Sequence, residues 1–376
     1  MNLPQIALVA GTRPNFVKIA PLIRAFERAS DRLGYRLIHT GQHSDRDMNT
    51  VFFEEFDIPQ PDAFLGCQGG SHAEGTGRIM MAMEEELLRH PVDAVLVVGD
   101  VNSTLAAALV AKKMQLDLIH VEAGLRSGDR KMPEEINRMA TDAITDLFFT
   151  TEPAANAALR KEGHPEECIH FVGNVMIDNL FHQAERLASD PARGGRGKAV
   201  RDEFGDKPYG VVTLHRPGNV DDPETLAGIV GALQIIARDL PLVFPMHPRT
   251  RTRFAAAGLE PGPRILVTPP LSYMEFLALW REAEVVLTDS GGVQEECTAL
   301  GVRCVTLRDT TERPATLSDG TNMLAGIEPA GIIEATARSR SSPPSSRRPA
   351  LWDGRAAERT VEAIARHFAG RTGAGS

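Results

Sequence analysis

The segment Val285–Gly301, with the sequence VVLTDSGGVQEECTALG, predicts the structural unit on which this chain is built. Its apolar run Val285–Leu287 is typical of a buried strand, and Gly301 ends the helix that we expect to follow. Between them, Ser290–Gly292 presents free backbone N–H groups at a helix start, where an anion can approach closely. Glu296 lies about one turn further on and can accept hydrogen bonds from a diol such as a ribose. The alternative is a strand-to-helix turn that uses small residues for structural reasons only.

The overall composition is that of an ordinary folded enzyme. The chain has 376 residues and a formal net charge of −9, which argues against binding to nucleic acid or to an anionic membrane. No apolar run approaches the roughly 20 residues that span a bilayer, and the N-terminus enters a strand without a basic leader region. The cysteines lack the paired spacing of a metal site, so we expect buried thiols at Cys67, Cys168, Cys297 and Cys304. These features predict a cytoplasmic enzyme.

Short apolar strands alternate with helical patterns through most of the chain, which is typical of α/β proteins with a parallel, doubly wound sheet. Two such series, residues 1–173 and 174–337, predict two Rossmann-like domains facing each other across a cleft. Residues 338–350 are rich in Arg, Ser and Pro and are predicted to be a flexible linker. A final helix is expected over 355–369, packing back on the first domain. Residues 57–71 and 191–197 are predicted to be loops.

Three carboxylates of the first half follow predicted strands or begin a predicted helix. Asp100 follows strand 94–98, Glu122 follows strand 118–121, and Glu134 lies at the start of a helix. Because ligands bind at the carboxyl ends of the strands in such sheets, these groups can converge on one site.

Each carboxylate also has a structural interpretation. Asp100 can cap the following helix. Glu134 can interact with the helix dipole and can pair with Arg138 one turn later. Glu122 is harder to explain in this way, because a carboxylate at the end of an apolar strand needs a partner or a function.

Several cations are expected near the same strand ends. Arg13 and Lys18 follow the first strand, and His215 follows strand 210–214 in a polar loop suited to phosphate binding or proton transfer. With Arg313, these groups can oppose the charge of a diphosphate held at Gly291 and Gly292.

Ordered sequence blocks then indicate a family. These blocks are GTRPNFVKIAPL (11–22), TGQH (40–43), GDVNST (99–104), HVEAGLRSGDRKMPEEINR (120–138), VGNVMID (172–178), VTLHRPGN (212–219), DSGGVQEE (289–296) and LRDTTERP (307–314). In these blocks the chain resembles the non-hydrolysing UDP-N-acetylglucosamine 2-epimerases, from about residue 5 to 326 and again near 353–369.

The resemblance implies a glycosyltransferase-B-like arrangement, a UDP-sugar substrate and a homodimer. It places UDP mainly on the second domain, in contact with Arg13, His215, Phe276, Ser290, Gly291, Gly292, Glu296 and Arg313. It places Lys18, Asp100, Glu122 and Glu134 on the sugar side. We assign Asp100 and Glu134 as the leading acid/base candidates and Glu122 as the third, with Lys18 tuning their ionisation and His215 assisting the departure of UDP.

The chemistry of the family suits these residue types. The C2 proton of an N-acetylhexosamine is not adjacent to a carbonyl, so the expected route eliminates UDP to 2-acetamidoglucal and adds it back after protonation of the other face. This route requires neither nicotinamide nor metal, and no cofactor is expected. Where the family often has Arg-Glu-Asn, this chain has Pro217-Gly218-Asn219. This difference leaves a related UDP-2-acetamido sugar as an alternative substrate. Hydrolysis to free ManNAc, a transferase of the same architecture and a non-catalytic sensor are further alternatives.

Overall fold

The structure, a computed structural model, describes residues 3–42, 53–343 and 347–373. The chain divides into two compact units. Unit 1 comprises Met1–Asn179 and Ala350–Ser376, and unit 2 comprises Leu180–Pro349.

Unit 1 contains a seven-stranded parallel sheet. Its strands are β1 (Gln5–Ala10), β2 (Gly34–His39), β3 (Ala63–Phe64), β4 (Ala94–Val98), β5 (Asp117–Val121), β6 (Leu147–Thr150) and β7 (Ile169–Phe171). Their spatial order is β3-β2-β1-β4-β5-β6-β7. The order therefore reverses between β1 and β4, and ligands bind at such switch points.

Helices connect these strands. They are α1 (Arg13–Arg28), α2 (His72–Arg89), α3 (Asn102–Lys113), α4 (Pro133–Asp142), α5 (Pro153–Lys161), α6 (Val175–Ser189) and the C-terminal α15 (Ala356–Gly373). A 3₁₀ turn covers Glu166–Cys168. The C-terminal helix is held on unit 1 by Asp178, which accepts hydrogen bonds from the N–H groups of Ala356 and Ala357 at 3.1 and 2.7 Å.

Unit 2 repeats the same topology with six parallel strands. They are β8 (Gly210–Thr213), β9 (Leu242–Pro245), β10 (Ile265–Thr268), β11 (Val285–Thr288), β12 (Cys304–Thr306) and β13 (Asn322–Leu324). The spatial order is β10-β9-β8-β11-β12-β13, so this sheet reverses between β8 and β11. The strand predicted at 285–287 is confirmed as β11.

The helices of unit 2 are more numerous than the sequence patterns predicted. They are α7 (Gly195–Phe204), α8 (Pro217–Val220), α9 (Pro223–Ile236), α10 (Pro248–Ala256), α11 (Tyr273–Trp280), α12 (Gly291–Leu300), α13 (Pro314–Ser318) and α14 (Pro329–Ser341). A 3₁₀ turn covers Pro191–Gly194.

The central strands are apolar throughout because both faces of each sheet are covered. All five residues of β4 are buried, and Val95 and Val97 pack with Met83 and Leu87 of α2. Because both faces are buried, these strands lack the alternation of polar and apolar residues that marks a half-exposed strand. They appear in the sequence as short continuous runs of Val, Leu and Ala.

Three predictions of irregular structure were wrong in part. Residues 191–197 form a 3₁₀ turn and the first turn of α7. Gly197 is buried against α11, where a Cβ atom would lie 1.7 Å from the carbonyl oxygen of Glu275, so only glycine fits. Within 57–71, Ala63–Phe64 pairs with β2. Residues 338–341 complete α14 rather than begin a linker, since Ser339 is buried.

Three further predictions concern the helix at 48–56, the four cysteines and membrane-spanning segments. The helix predicted over 48–56 is present at 53–56, and its earlier residues lie outside the described ranges. Cys67, Cys297 and Cys304 are buried free thiols, as predicted, while Cys168 is only half-buried. In the described part of the chain, no helix is long and apolar enough to cross a membrane.

Candidate active site

The turn after β1 is tied to the end of β4 by one buried side chain. The Oδ1 atom of Asn15 accepts hydrogen bonds from the N–H groups of Gly11 and Thr12, both at 3.1 Å. Its Nδ2 atom donates to the carbonyl of Val98 at 3.1 Å. The two strand ends at the switch point are therefore held at a fixed separation.

Lys18 and Glu122 form a buried ion pair at this edge. The Nζ and Oε2 atoms are 2.7 Å apart, and the side chains are 6% and 1% exposed. Glu122 has a positive φ of 70°, so its backbone leaves the strand direction directly after β5. Lys18 is thus the partner that the buried Glu122 carboxylate requires. The ion pair lies beside the carboxyl ends of β1 and β5.

Gly99 makes room for the Lys18 ammonium. It has a φ of 65°, and a Cβ at this position would lie 2.8 Å from Lys18 Nζ. A side chain larger than hydrogen must therefore displace the lysine or distort the end of β4.

We expect Gly99→Ala to lower kcat by about tenfold, because the methyl group displaces a positioned cation. Gly66→Ala is the matched control: its φ is 66°, and a Cβ there meets nothing within 4 Å. Both variants carry the same left-handed backbone strain of about 1–2 kcal/mol. Steady-state kinetics and urea unfolding separate the two effects, and equal kinetics in both variants would contradict the steric role of Gly99.

Asp100 pairs with Arg138, whose Nη1 atom contacts Asp100 Oδ2. Arg138 also donates to Glu135 Oε2, with Nη2 at 2.8 Å. Glu135 in turn accepts the N–H groups of Ser127 and Gly128 at 3.0 Å. Burial opposes ionisation of Glu135, but the Ser127 N–H and Arg138 outweigh it and lower the pKa. The result is a fixed cation beside a half-buried Asp100.

Two structural interpretations do not hold, the capping of α3 by Asp100 and the pairing of Glu134 with Arg138, whereas the first-turn position that lets Glu134 interact with the helix dipole is confirmed. The residue at the N-cap of α3 is Val101, so Asp100 does not cap that helix. Arg138 pairs with Asp100 and Glu135 rather than with Glu134. Glu134 is exposed in the first turn of α4.

A buried histidine and aspartate lie behind these groups, and neither was predicted from the sequence. His120 Nδ1 is 2.7 Å from Asp142 Oδ1, and His120 Nε2 is 2.8 Å from the Gly99 carbonyl. Asp142 Oδ2 also accepts from Gly124 N–H at 3.0 Å and from Arg126 Nη1 at 2.7 Å. The sequence did contain one indication of this pair: His120 lies inside the apolar strand β5, and a buried histidine needs a polar partner.

In unit 2, Asp289 organises the loop after β8. It is fully buried and accepts from the N–H groups of His215 and Arg216 at 3.0 and 2.9 Å, and its Oδ1 is 2.9 Å from His215 Nδ1. Burial opposes ionisation of Asp289, but the His215 contact and these N–H groups outweigh it and lower the pKa. With Nδ1 held by the carboxylate and half of the side chain exposed, His215 presents Nε2 for a ligand.

The turn Ser290–Gly292 begins α12, as predicted. Ser290 N–H donates to Thr288 Oγ1 at 3.0 Å, and the first turn of the helix starts at Gly291. Glu312 lies beside this start, since a Cβ on Gly291 would be 2.8 Å from its Oε1 atom. Glu312 is paired with Arg308 at 2.8 Å and with Arg216 at 3.2 Å. Burial raises the pKa of Glu312, but Arg313 and these two cations lower it to about 2.

Glu296 is buried one turn into α12. Its Oε1 atom accepts a hydrogen bond from the hydroxyl of Tyr273 at 2.7 Å. Burial raises the pKa of Glu296 to about 7, and the Tyr273 hydrogen bond offsets only part of this effect. A carboxyl group with this pKa can donate or accept a hydrogen bond near neutral pH.

The raised pKa of Glu296 predicts a pH-dependent stability. Because it exceeds the ordinary value of 4.5, the contribution is fully present below about pH 4.5 and is lost as pH rises through about 7. The loss is about 3 kcal/mol at 1.36 kcal/mol for each pKa unit. We expect Glu296→Gln to flatten the free energy of unfolding in this range, measured with urea. Exposed Glu224→Gln is the control, and parallel pH curves for wild type and Glu296→Gln would contradict the assignment.

The remaining predicted groups have different environments. Arg313 is buried and its Nε atom is 3.1 Å from Glu295 Oε1, so a carboxylate already compensates its charge. Phe276 is half-buried on α11, and Arg13 is the first residue of α1. The structure therefore brings Lys18, Asp100 and Glu122 together at one edge of the first sheet, and His215, Ser290–Gly292 and Glu296 at one edge of the second.

The strand orders of the two sheets, β3-β2-β1-β4-β5-β6-β7 and β10-β9-β8-β11-β12-β13, define the class of protein. Both units are Rossmann-like, with parallel sheets that reverse at a switch point bearing polar groups, as in a glycosyltransferase-B fold. A sequence model of the family described as UDP-N-acetylglucosamine 2-epimerase matches residues 25–365. The chain belongs to this family.

Individual relatives support this assignment. The chain is 43% identical to a UDP-N-acetylglucosamine 2-epimerase of Methanocaldococcus jannaschii, over 88% of this chain and 91% of the relative. It is 38% identical to a UDP-2,3-diacetamido-2,3-dideoxy-D-glucuronate 2-epimerase of Pseudomonas aeruginosa, over 96% and 99%. The crystal structure of a Methanocaldococcus jannaschii UDP-GlcNAc 2-epimerase with UDP-GlcNAc and UDP is similar, with a TM-score of 0.87, 38% identity, and coverage of 96% of this chain and 99% of that one.

Proposed function

We propose that this enzyme is a non-hydrolysing UDP-N-acetylglucosamine 2-epimerase that interconverts UDP-GlcNAc and UDP-ManNAc. The observation that carries the proposal is the pairing of two carboxylates with cations at one sheet edge, Lys18 with Glu122 and Arg138 with Asp100. Binding of a neutral sugar does not require charged groups at this edge, whereas proton transfer at C2 requires a positioned acid or base.

In the proposed reaction the C1–O bond breaks first and UDP leaves with the bonding electrons. Positive charge at C1 makes the C2 proton acidic, and a carboxylate removes it to give 2-acetamidoglucal. Protonation of C2 from the other face and re-addition of UDP give the epimer. We assign Asp100 and Glu134 as the leading acid and base, with Glu122 as the third carboxylate and Lys18 tuning their ionisation.

Unit 2 supplies the groups for the leaving diphosphate. We assign the phosphates to Ser290, Gly291 and Gly292, with the half-exposed His215 side chain assisting departure. The N–H groups of Gly291 and Gly292 in the first helical turn and the positive end of the helix dipole stabilise such a charge without reorganisation. Glu296 is assigned to the ribose, and Arg13, Phe276 and Arg313 complete the proposed UDP contacts.

The test is NMR of the protein with UDP-GlcNAc in D2O. We expect deuterium at C2 of the recovered UDP-sugar and the appearance of UDP-ManNAc without stoichiometric release of UDP. Accumulation of free ManNAc with equimolar UDP would indicate the hydrolysing reaction instead. An unlabelled C2 would reject the elimination mechanism and leave a transferase or a sugar-nucleotide sensor.

A related UDP-2-acetamido sugar is the second candidate substrate. The 38% identity to the Pseudomonas aeruginosa relative over almost the whole chain favours it, as does Pro217-Gly218 at a position where the epimerases often have Arg-Glu. Comparison of kcat/KM for UDP-GlcNAc and for UDP-2,3-diacetamido-2,3-dideoxyglucuronate decides between them, with the larger value identifying the substrate.

We also propose a cytoplasmic homodimer that supplies ManNAc-type sugars for cell-surface polysaccharide. The family membership supports both parts of this proposal. Light scattering coupled to size-exclusion chromatography measures the mass directly, and a value near the 40.8 kDa of one chain would contradict the dimer.

A further inference from the structure

His120 links the strand end that carries Asp100 to the helix that carries Glu134. It bridges the Gly99 carbonyl, one residue before Asp100, and the carboxylate of Asp142, the last residue of α4. Glu134 lies in the first turn of the same helix. Through this bridge, the position of one proposed proton-transfer group depends on that of the other.

The bridge also defines the state of the imidazole ring. Its Nδ1 atom faces a carboxylate at 2.7 Å and its Nε2 atom faces a backbone carbonyl at 2.8 Å. Neither group can donate while Asp142 is ionised, so each ring nitrogen must carry a hydrogen to make both bonds. A neutral imidazole has one N–H only and would leave a fully buried carbonyl or carboxylate contact unmade.

The surrounding charges are consistent with a charged ring. Asp142 from α4 is fully buried and also contacts Arg126, which is in turn paired with Glu162 at 2.6 Å. Two cations and two carboxylates therefore balance when His120 is protonated. With a neutral His120 the buried Asp142 would keep the cation Arg126 at Oδ2 but would lose the cationic partner at Oδ1.

We propose that His120 is a buried imidazolium that positions the Gly99–Asp100 strand end against α4, and so sets the separation of Asp100 and Glu134. The role of this residue in catalysis rests on the proposed function, whereas its protonation state does not. The ion pair of Arg138 with Asp100 joins the same strand end to the same helix, so α4 and its partners hold both Gly99 and Asp100.

The spectroscopic test uses wild-type protein labelled with ¹⁵N in the histidine rings. We expect both ring nitrogens of His120 to carry hydrogen, with two similar ¹⁵N shifts, at the pH of the kinetic assays. One protonated and one bare nitrogen would overturn the proposal. Neutron diffraction from wild-type crystals gives the same answer if no variant of His120 folds.

The kinetic test compares His120→Asn with wild type. We expect kcat to fall by about 100-fold, because small displacements of reacting groups cost rates of this order. The Kd for UDP should be unchanged, since the proposed nucleotide contacts of unit 2 are not altered. His170→Asn is the matched control: this half-buried histidine stacks on Phe149 in the same sheet and touches none of the proposed groups.

The outcomes separate the two proposals. A wild-type kcat in His120→Asn overturns the positioning role, and so does a loss of UDP affinity equal to the loss in kcat. If wild-type protein leaves C2 unlabelled in D2O, the proposed reaction fails, while the ¹⁵N result on His120 still stands or falls by itself.

Discussion

Replacement of Asp100 by asparagine is expected to lower kcat by about 1,000-fold and to leave the Kd for UDP unchanged. The magnitude is that of losing a positioned general acid or base. The amide keeps the shape of the side chain, and Arg138 retains its buried bond to Glu135, so the variant should fold. Steady-state kinetics and calorimetric titration with UDP measure the two quantities.

Asp31→Asn is the control for this experiment. Asp31 is exposed in the same unit, beyond the end of α1, and its replacement removes the same charge from the same part of the chain. We expect wild-type kinetics in the control. Full activity of Asp100→Asn would remove Asp100 from the reaction and leave Glu122 and Glu134 as the proton-transfer groups.

Replacement of Lys18 by methionine should destabilise the protein by about 3–5 kcal/mol, because it leaves the Glu122 carboxylate buried without its cation. Glu122 is 1% exposed, so water cannot take the place of the ammonium. We expect the double variant Lys18→Met, Glu122→Gln to recover most of this stability, since neither charge then remains buried. Urea unfolding of the four proteins in the cycle gives the coupling energy.

Activity should separate from stability in the same cycle. If the pair serves the reaction, the stable double variant remains inactive towards UDP-GlcNAc. If the pair is structural only, activity returns together with stability. Recovery of both would therefore reject the catalytic assignment of Lys18 and Glu122 and leave the Asp100 prediction unaffected.

The sequence patterns predicted strands better than helices in unit 2. Strand β11 and the Ser-Gly-Gly turn were identified because a short apolar run and glycines act locally. Helices α7, α10 and α14 were missed. In the case of α7 the helix begins in a Gly- and Arg-rich segment, and close contact with α11 requires glycine there. Tertiary packing here overrides local helix propensity.

The candidate site was predicted in part. Asp100, Glu122 and Lys18 were identified from their places after strands, and the structure brings them to one edge. Arg138 was predicted to pair with Glu134 but pairs with Asp100 and Glu135 instead. Asp142 and Asp289 were not identified as partners, although each binds a histidine or the backbone beside a predicted group. Acidic and basic residues are common in any chain, so their type alone does not reveal which of them are buried and paired.

The sequence by itself determined the two α/β series, the strand–turn–helix unit around Ser290–Gly292 and the family, because these depend on local periodicity, glycine and ordered motifs. Only the tertiary structure decided which charges pair. Arg138 reaches Asp100 across 38 residues and His120 reaches Asp142 across 22, distances over which chain spacing carries no information. Pairing depends on which strand ends lie side by side, and the strand order of a sheet is a property of the folded chain.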